Sequence, residues 1–292
     1  MVSVRSRCEL LCLAALLGCS SPDKDPQPET DDKVCDDVQM TQVAVIREMW
    51  FARPDGLSSN GVDLDGMATT SGERNGCGVM DYADPETGES GIDNAFGAFL
   101  PILEQTEGAA LEIYIQALIN SGEIIVMIEM EDVDDKDEDA CVNVNLMRTE
   151  GAPTLGTDGL VASHQTFQLD PKQPTSRVEG AQISDSRLTA TPMEFSMPFQ
   201  IFDIHHAFTL QESTLRFDQG KHEQHSGILA GGVDIQEIIS LVEGRTDIDI
   251  GPLIIGFVEG QADLWPDKNG QCQGISIVFE FNATPAFIYE GQ

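Results

Sequence analysis

The apolar positions of this chain change period several times. Over residues 41–52 they alternate, with Val43, Val45, Met49 and Phe51 on one side, which predicts a strand. Residues 55–92 show almost no periodicity and are rich in Gly, Asp and Asn. A loop of that length inside a globular domain is normally functional or held by an ion. Asp93-Asn94 then occupies an N-cap position, and Phe96, Phe99, Leu100 and Leu103 recur at helical spacing. Pro101 kinks or restarts the helix, Glu107-Gly108 breaks it, and Leu111, Ile115 and Leu118 continue it. A two-piece helical segment is therefore expected over 93–121.

After Gly122 the period becomes that of strands. Residues 123–132 and 141–147 predict a hairpin around an acidic turn. Further strands are expected at 164–169, 176–191, 194–210, 213–218, 253–258 and 274–288. A short helix is expected at 234–243, from Ile235, Ile238, Ile239 and Val242. Within 194–210, Phe195, Met197, Phe199 and Ile201 alternate, and then Ile204, His206, Phe208 and Leu210 do. The change of phase near Ile201-Phe202 predicts a β-bulge. One strand, then helices, then many strands reads as an α+β, mainly β fold, built on a large antiparallel sheet or β-sandwich. No internal repeat is visible.

Charge narrows the function. The chain of 292 residues carries 50 Asp+Glu against 16 Lys+Arg, a net charge of −34. Such a chain cannot neutralise phosphates, which argues against nucleic acid as a partner. Anionic lipid surfaces repel it. Its self-repulsion opposes compaction, and bound cations, most simply Ca²⁺, would relieve it. The apolar content of 41% is that of a folded chain, and residues 35–292 are read as a single β-rich domain.

The N-terminus has its own pattern. Arg5 and Arg7 precede an apolar run from Leu10 to Leu17, too short to span a bilayer but suited to a signal peptide over residues 1–18. Glu9 is an unusual neighbour for such a run. Leu16-Leu17-Gly18-Cys19 resembles the lipobox of bacterial lipoproteins. That resemblance implies cleavage before Cys19, acylation of its thiol and lasting attachment to a lipid bilayer. Ser20, being non-acidic, implies the outer membrane. The other reading is an ordinary secretory signal with an incidental Cys19. Residues 19–34 hold Pro and charge with almost nothing to pack, and are expected to be a disordered acidic tether reaching about 50 Å when stretched.

Beyond Cys19 four cysteines remain: Cys35, Cys77, Cys141 and Cys272. In an oxidising compartment they predict two disulfides with three possible connectivities. The preferred pairing is Cys35–Cys77 with Cys141–Cys272, the second joining the starts of two strands. A four-thiolate zinc site is the alternative, but no C-x₂-C spacing supports it.

The candidate chemistry lies in the loop. Asp63 and Asp65 are two apart and face one way on extended backbone, Gly66 allows a sharp turn, and Asp93 or Asn94 could supply distant ligands. Hard cations take six to eight oxygens, so Ca²⁺ is the candidate ion. The EF-hand pattern fails, because Gly61 and Gly72 fall where its first and twelfth ligands belong. The competing reading is a solvated loop, with Asp93 a helix cap only.

Other candidates are weaker. The acidic run 132–139 lacks a glycine turn to fold it around an ion and reads as a solvated hairpin tip. His205, His206, His222 and His225 could meet across a hairpin. However, His205 and His206 point to opposite faces, and His222-Glu-Gln-His225 is one residue short of H-E-x-x-H. No G-x-S-x-G elbow, phosphate loop or dinucleotide fingerprint is present. Trp50, Trp265 and three Tyr are few for a carbohydrate-binding surface. The stripe in 194–210 is either core or the lining of an apolar-ligand cavity.

The runs Gly61-Val-Asp-Leu-Asp-Gly66, Gly91-Ile-Asp-Asn-Ala-Phe96 and Leu100-Pro101, with Gly260-Gln-Ala-Asp-Leu264 and Gly270-Gln-Cys-Gln-Gly-Ile-Ser276, resemble patterns in uncharacterised lipoproteins of myxobacterial type. The resemblance is scattered over residues 41–292. It implies an exported, anchored, disulfide-bearing protein and brings no activity with it. The expectation is a non-enzymatic cell-envelope lipoprotein with a structural Ca²⁺ loop and a ligand- or partner-binding β domain. The alternatives are an exported hydrolase of an extracellular polymer and a carrier of an apolar ligand.

Overall fold

In chain order the elements are β1 (Gln42–Phe51), β2 (Tyr82–Ala83), β3 (Ser90–Ile92), α1 (Leu100–Leu103), α2 (Leu111–Ser121), β4 (Val126–Glu131) and β5 (Asp139–Glu150). They continue as β6 (Gln165–Leu169), β7 (Ser176–Ser184), β8 (Arg187–Ile201), β9 (Ile204–Asp218) and β10 (His225–Asp234). The chain ends with α3 (Ile235–Glu243), α4 (Gly251–Gln261), β11 (Leu264–Pro266) and β12 (Cys272–Tyr289). The computed structural model describes residues 35, 40–70, 76–105, 110–201, 204–243 and 251–289. The expected signal peptide 1–18, Cys19 and the tether 19–34 lie outside the described residues.

The mainly β class holds, but the sheet closes on itself. β1 pairs with β4, β4 with β5, β5 with β7, β7 with β8, β8 with β9, β9 with β10, β10 with β12, and β12 with β1. All eight pairings are antiparallel, so the expected sandwich is replaced by an eight-stranded barrel. Closure leaves no unpaired edge around the barrel, and eight strands enclose a width that side chains can fill.

Register decides what fills it. Phe279 lies opposite Phe51 and Leu229, Phe281 opposite Met49 and Gly227, and Phe217 opposite Gly227 and Leu188. These side chains belong to one buried cluster with Ile128, Val144, Leu146 and Leu215. Phe195, Met197 and Leu210 of the expected stripe belong to the same core, and the side chains of 198–201 and 204–206 lie outside the description. Gly227 is required here, because a Cβ would come within 2.5 Å of the Phe281 ring. Helices gather where β1 and β10 end, with Phe257 of α4 stacked on Phe99 at 4.1 Å and Phe96 5.0 Å from Phe51.

Several boundaries differ from expectation. The segments expected as 176–191, 194–210 and 213–218 are three strands turned at other places. Asp185 and Ser186 make the first turn with positive φ, and the predicted bulge at Ile201-Phe202 is instead the β8–β9 reversal, with Ile201 opposite Ile204. The bulges fall elsewhere, one in β8 between Ala190 and Met193 and one in β9 between Leu210 and Ser213. Residues 253–258, expected as a strand, lie in α4, because a short apolar run cannot by itself distinguish a buried strand from a helix.

The preferred disulfide pairing is also overturned. Cys35 joins Cys141 and Cys77 joins Cys272, with Cα–Cα distances of 5.3 and 5.8 Å. The start of β12 lies beside the 55–92 loop rather than beside β5, which is why the partners exchange. The acidic run 132–139 is exposed at 134–138, with Val133 buried in the core, and it is docked: Asp137 accepts from the Ser186 hydroxyl, and Glu138 accepts from Ser184 and the Asp185 N–H. β9 places the backbone of His205 and His206 at its start, whereas His225 opens β10 beside the other end of β9, near Asp218.

Peptide mapping under non-reducing conditions is expected to recover Cys35 linked to Cys141 and Cys77 linked to Cys272. Recovery of a Cys35–Cys77 peptide would refute this topology. Phe281→Ala is expected to destabilise the domain by about 3–5 kcal/mol in urea unfolding, through loss of burial and the cavity left behind.

Candidate metal centre

The 55–92 loop is not free in solvent. It lies on the outer face of β10 and β12, where Val62 packs with Ala52, Ile228, Ala230 and Val278. Asn60 Nδ2 and Trp50 Nε1 both donate to the Glu280 carboxylate, at 2.5 and 2.6 Å. Gly61 passes so close that a Cβ would sit 2.6 Å from Ile92 Cγ2. Val62 bridges Asp93 through its carbonyl, which accepts the Asp93 N–H at 3.0 Å. That bridge brings the two ends of the loop together.

Backbone N–H groups then orient the carboxylates. Asp63 Oδ1 accepts from Gly66 at 2.6 Å, Asp65 Oδ1 from Met67 at 2.8 Å, and Asp93 Oδ2 from Leu64 at 2.6 Å. One oxygen from each of Asp63, Asp65 and Asp93 lies within 4.8 Å of the others. Asp81 Oδ2 accepts from Thr69 at 2.5 Å, and Asp81 shares a hydrogen bond with Asp93. Behind them, buried Asp263 accepts from the Ser276 N–H at 2.7 Å and from its hydroxyl at 2.5 Å, and Ser276 Oγ accepts from Ala95. Gly91, at φ +105°, lets β3 approach: a Cβ there would lie 3.3 Å from Asp63 Oδ2 and 3.1 Å from the Met67 carbonyl.

The electrostatics follow from crowding. Burial pushes Asp93 up to about 9, against the Leu64 N–H, with the charges of Asp263, Asp65 and Asp81 adding to the rise. Burial raises Asp263 to about 7 and Asp81 to about 6, and raises Asp65 in the same direction. Among the described residues, no ion pair involves any of these five carboxylates. Such a group either takes up protons or takes a cation.

The expected ligands divide. Asp63, Asp65 and Asp93 converge, and Asp93 is not the helix cap. Asn94 does not join them. Its amide donates to the Ala52 carbonyl and Ser59, and its oxygen accepts the Gly97 N–H, so Asn94 is the cap. Asp84 turns elsewhere, bonding Glu86 and Thr87 N–H and lying 3.6 Å from Arg216. Asp81 and Asp263 complete the group. Asp81 stands in the same loop, whereas no local signal marks Asp263, which arrives through β11 and β12 pairing. The donor set is all oxygen, with the Met67 carbonyl beside it, and suits a hard cation such as Ca²⁺.

No family model, curated protein or solved structure matches the chain.

Without an ion, the folded state holds protons that the unfolded chain has lost. Between about pH 4 and pH 9 these groups therefore make ion-free stability fall as pH rises. Calorimetry of Ca²⁺ addition at pH 7 in buffers of different ionisation enthalpy should show release of about one proton per ion. Binding with no proton release would place the ion elsewhere.

Proposed function

We propose that this protein is an exported cell-envelope lipoprotein, acylated at Cys19, whose barrel domain is non-enzymatic and binds a ligand or partner while Ca²⁺ clamps the outer loop to it. The observation that carries the reading is the convergence of Asp63, Asp65 and Asp93, with Asp81 beside them, where strand pairing has already brought the two ends of the loop together. In this reading the four carboxylates hold the ion, which supplies the positive charge the group lacks. Its work is structural: it joins the first turn of the loop to the segment that feeds α1. The two disulfides and the lipobox-like N-terminus support an oxidising, extracytoplasmic setting.

A hydrolase reading draws on the shared hydrogen bond between Asp81 and Asp93, since paired carboxylates of unequal affinity serve acid–base chemistry. The two readings differ in what a cation does. A bound ion consumes the pair in one, and would abolish its proton in the other.

Thermal unfolding of the disulfide-intact chain in chelator, in Ca²⁺ and in Mg²⁺ separates them. A Ca²⁺-selective rise is expected, worth about 2.7 kcal/mol at a hundredfold excess over Kd. Asp93→Asn is expected to abolish that rise and to stabilise the ion-free form at pH 7, because an amide needs no proton taken up on folding while its oxygen still accepts from Leu64. An equal response to Mg²⁺, or a Ca²⁺ response that survives Asp93→Asn, would leave only screening of the net charge. Membrane fractionation of wild type and Cys19→Ala tests the anchor separately, with release of the variant expected.

A further inference from the structure

A second concave site lies on the outer surface of the barrel, at β8, β9 and β10. A cleft of about 590 Å³ opens where β8, β9 and β10 meet α3. Glu194, Thr209, Gln211, Asp234, Gln236 and Glu237 line it. The pleat accounts for this lining. Phe195 and Leu210 are each 2% exposed and turn into the core, so Glu194, Thr209 and Gln211 beside them face outward. α3 buries Ile235, Ile238, Ile239 and Val242, which turns Gln236 and Glu237 toward the strand ends. Asp234 Oδ1 accepts the Gln236 N–H at 2.8 Å and holds the junction of strand and helix.

The residues that line it are all of polar type. Glu194 and Asp234 repel an anionic ligand, and no apolar side chain is among the lining residues to receive a hydrocarbon. What remains is a neutral molecule rich in hydroxyls, or a cation.

An aromatic ring stands beside the cleft, and the neutral hydrogen-bonding side chains of Thr209, Gln211 and Gln236 in the lining favour the hydroxyl-rich ligand. Trp265 of β11 lies flat on the barrel over two glycines. A Cβ on Gly232 would come within 2.5 Å of its ring, and one on Gly274 within 2.3 Å. Gly232 is paired with Gln211, and Gly274 with Asp234, so the indole stands beside two cleft residues on neighbouring strands. Its Nε1–H donates to Glu212 at 2.7 Å, which ties the ring to the residue after Gln211. Trp265 also holds φ +57°, an uncommon conformation for a bulky residue, and remains half-buried rather than enclosed. The chain thus gives up two side chains in its central strands and accepts local strain to lay one Trp flat beside a polar trough.

We infer that this trough binds a saccharide chain, with sugar hydroxyls bonded by the carboxylates and amides of Glu194, Gln211, Asp234 and Gln236 and a pyranose C–H face set against the open side of Trp265. Carboxylates accept hydroxyl protons in pairs, amides both donate and accept, and indole offers an apolar face of matching size. The cleft is open to solvent rather than enclosed, which suits a segment of a longer glycan better than an engulfed monosaccharide. The inference rests on the reading of the barrel as a ligand-binding domain and names the class of ligand. It uses none of the carboxylates of the metal centre.

The test is titration of the full chain, in a detergent free of sugar, with linear hexasaccharides of glucose, xylose, mannose and N-acetylglucosamine, followed by calorimetry and Trp fluorescence. Saturable binding to at least one, with a shift in Trp emission, is expected in chelator and in Ca²⁺ alike. Gln211→Ala should weaken it about tenfold, the effect of one lost hydrogen bond. Glu194→Gln, which preserves shape, should weaken it by a smaller factor. Trp265→Ala should abolish it, with far-UV circular dichroism as the check on folding. Absence of binding across the panel, or binding indifferent to Gln211→Ala and Glu194→Gln, overturns the inference, as does binding of spermine in place of every sugar. A missing Ca²⁺ transition or an unacylated Cys19 would instead count against the metal centre or the anchor.

Discussion

The antiparallel pairing of the first and last strands is the contact on which the rest of the structure depends. Residues 44–51 lie against 279–285, and that seam closes the barrel. Without it β1 and β12 would be two free edges with their backbone groups unpaired. The seam also brings Phe51 onto Phe279, 4.8 Å between ring centres, and so seats the floor on which the helices collect. β12 does more than close the ring. It pairs with β10 on its other side, carries β11 and β6, and is linked by Cys272 to the loop at Cys77. Its inner face supplies core aromatics, and its outer face supplies Ser276, Val278 and Glu280 to the loop.

The outer loop is costly in a way the barrel is not. The barrel buries hydrocarbon in a closed ladder of hydrogen bonds. The loop brings Asp63, Asp65, Asp81 and Asp93 together and sets them in front of Asp263. Burial and like charge both oppose ionisation there, which is why protons persist near neutral pH. Backbone N–H groups of Leu64, Gly66, Met67 and Thr69 hold the carboxylates in place but carry no full charge. A divalent cation and a set of protons are the two ways to settle this arrangement, and solution pH and Ca²⁺ decide between them.

Much of this was legible beforehand. Alternation located β1, although a bulge between Ile46 and Glu48 sets Val45 and Met49 on opposite faces; helical spacing located α3, and the two-piece helix appeared as α1 and α2. Asp63, Asp65 and Asp93 could be singled out because spacing of two on a glycine-bounded loop carries a local meaning. Other features had no local signal. The run at 253–258 is apolar on every side, which a strand and a short buried helix satisfy equally. The turn at Ile201–Ile204 looked like a bulge because a change of phase is common to both. Asn94 and Asp93 were indistinguishable as ligand or cap, and only the Val62 bridge turned one to the loop and the other to the helix.

The sequence by itself determined a mainly β chain, heavily acidic, with four cysteines beyond a lipobox-like N-terminus and a carboxylate-rich loop. Those properties are set by composition and by contacts within a few residues. Closure of the barrel, the pairing of Cys35 with Cys141 and Cys77 with Cys272, the arrival of Asp263 behind the loop, and the placing of Trp265 beside Gln211 and Asp234 were decided only by tertiary structure. Each depends on which strands become neighbours. Neighbours are chosen by the summed fit of whole faces in one closed register, a quantity that no local window contains.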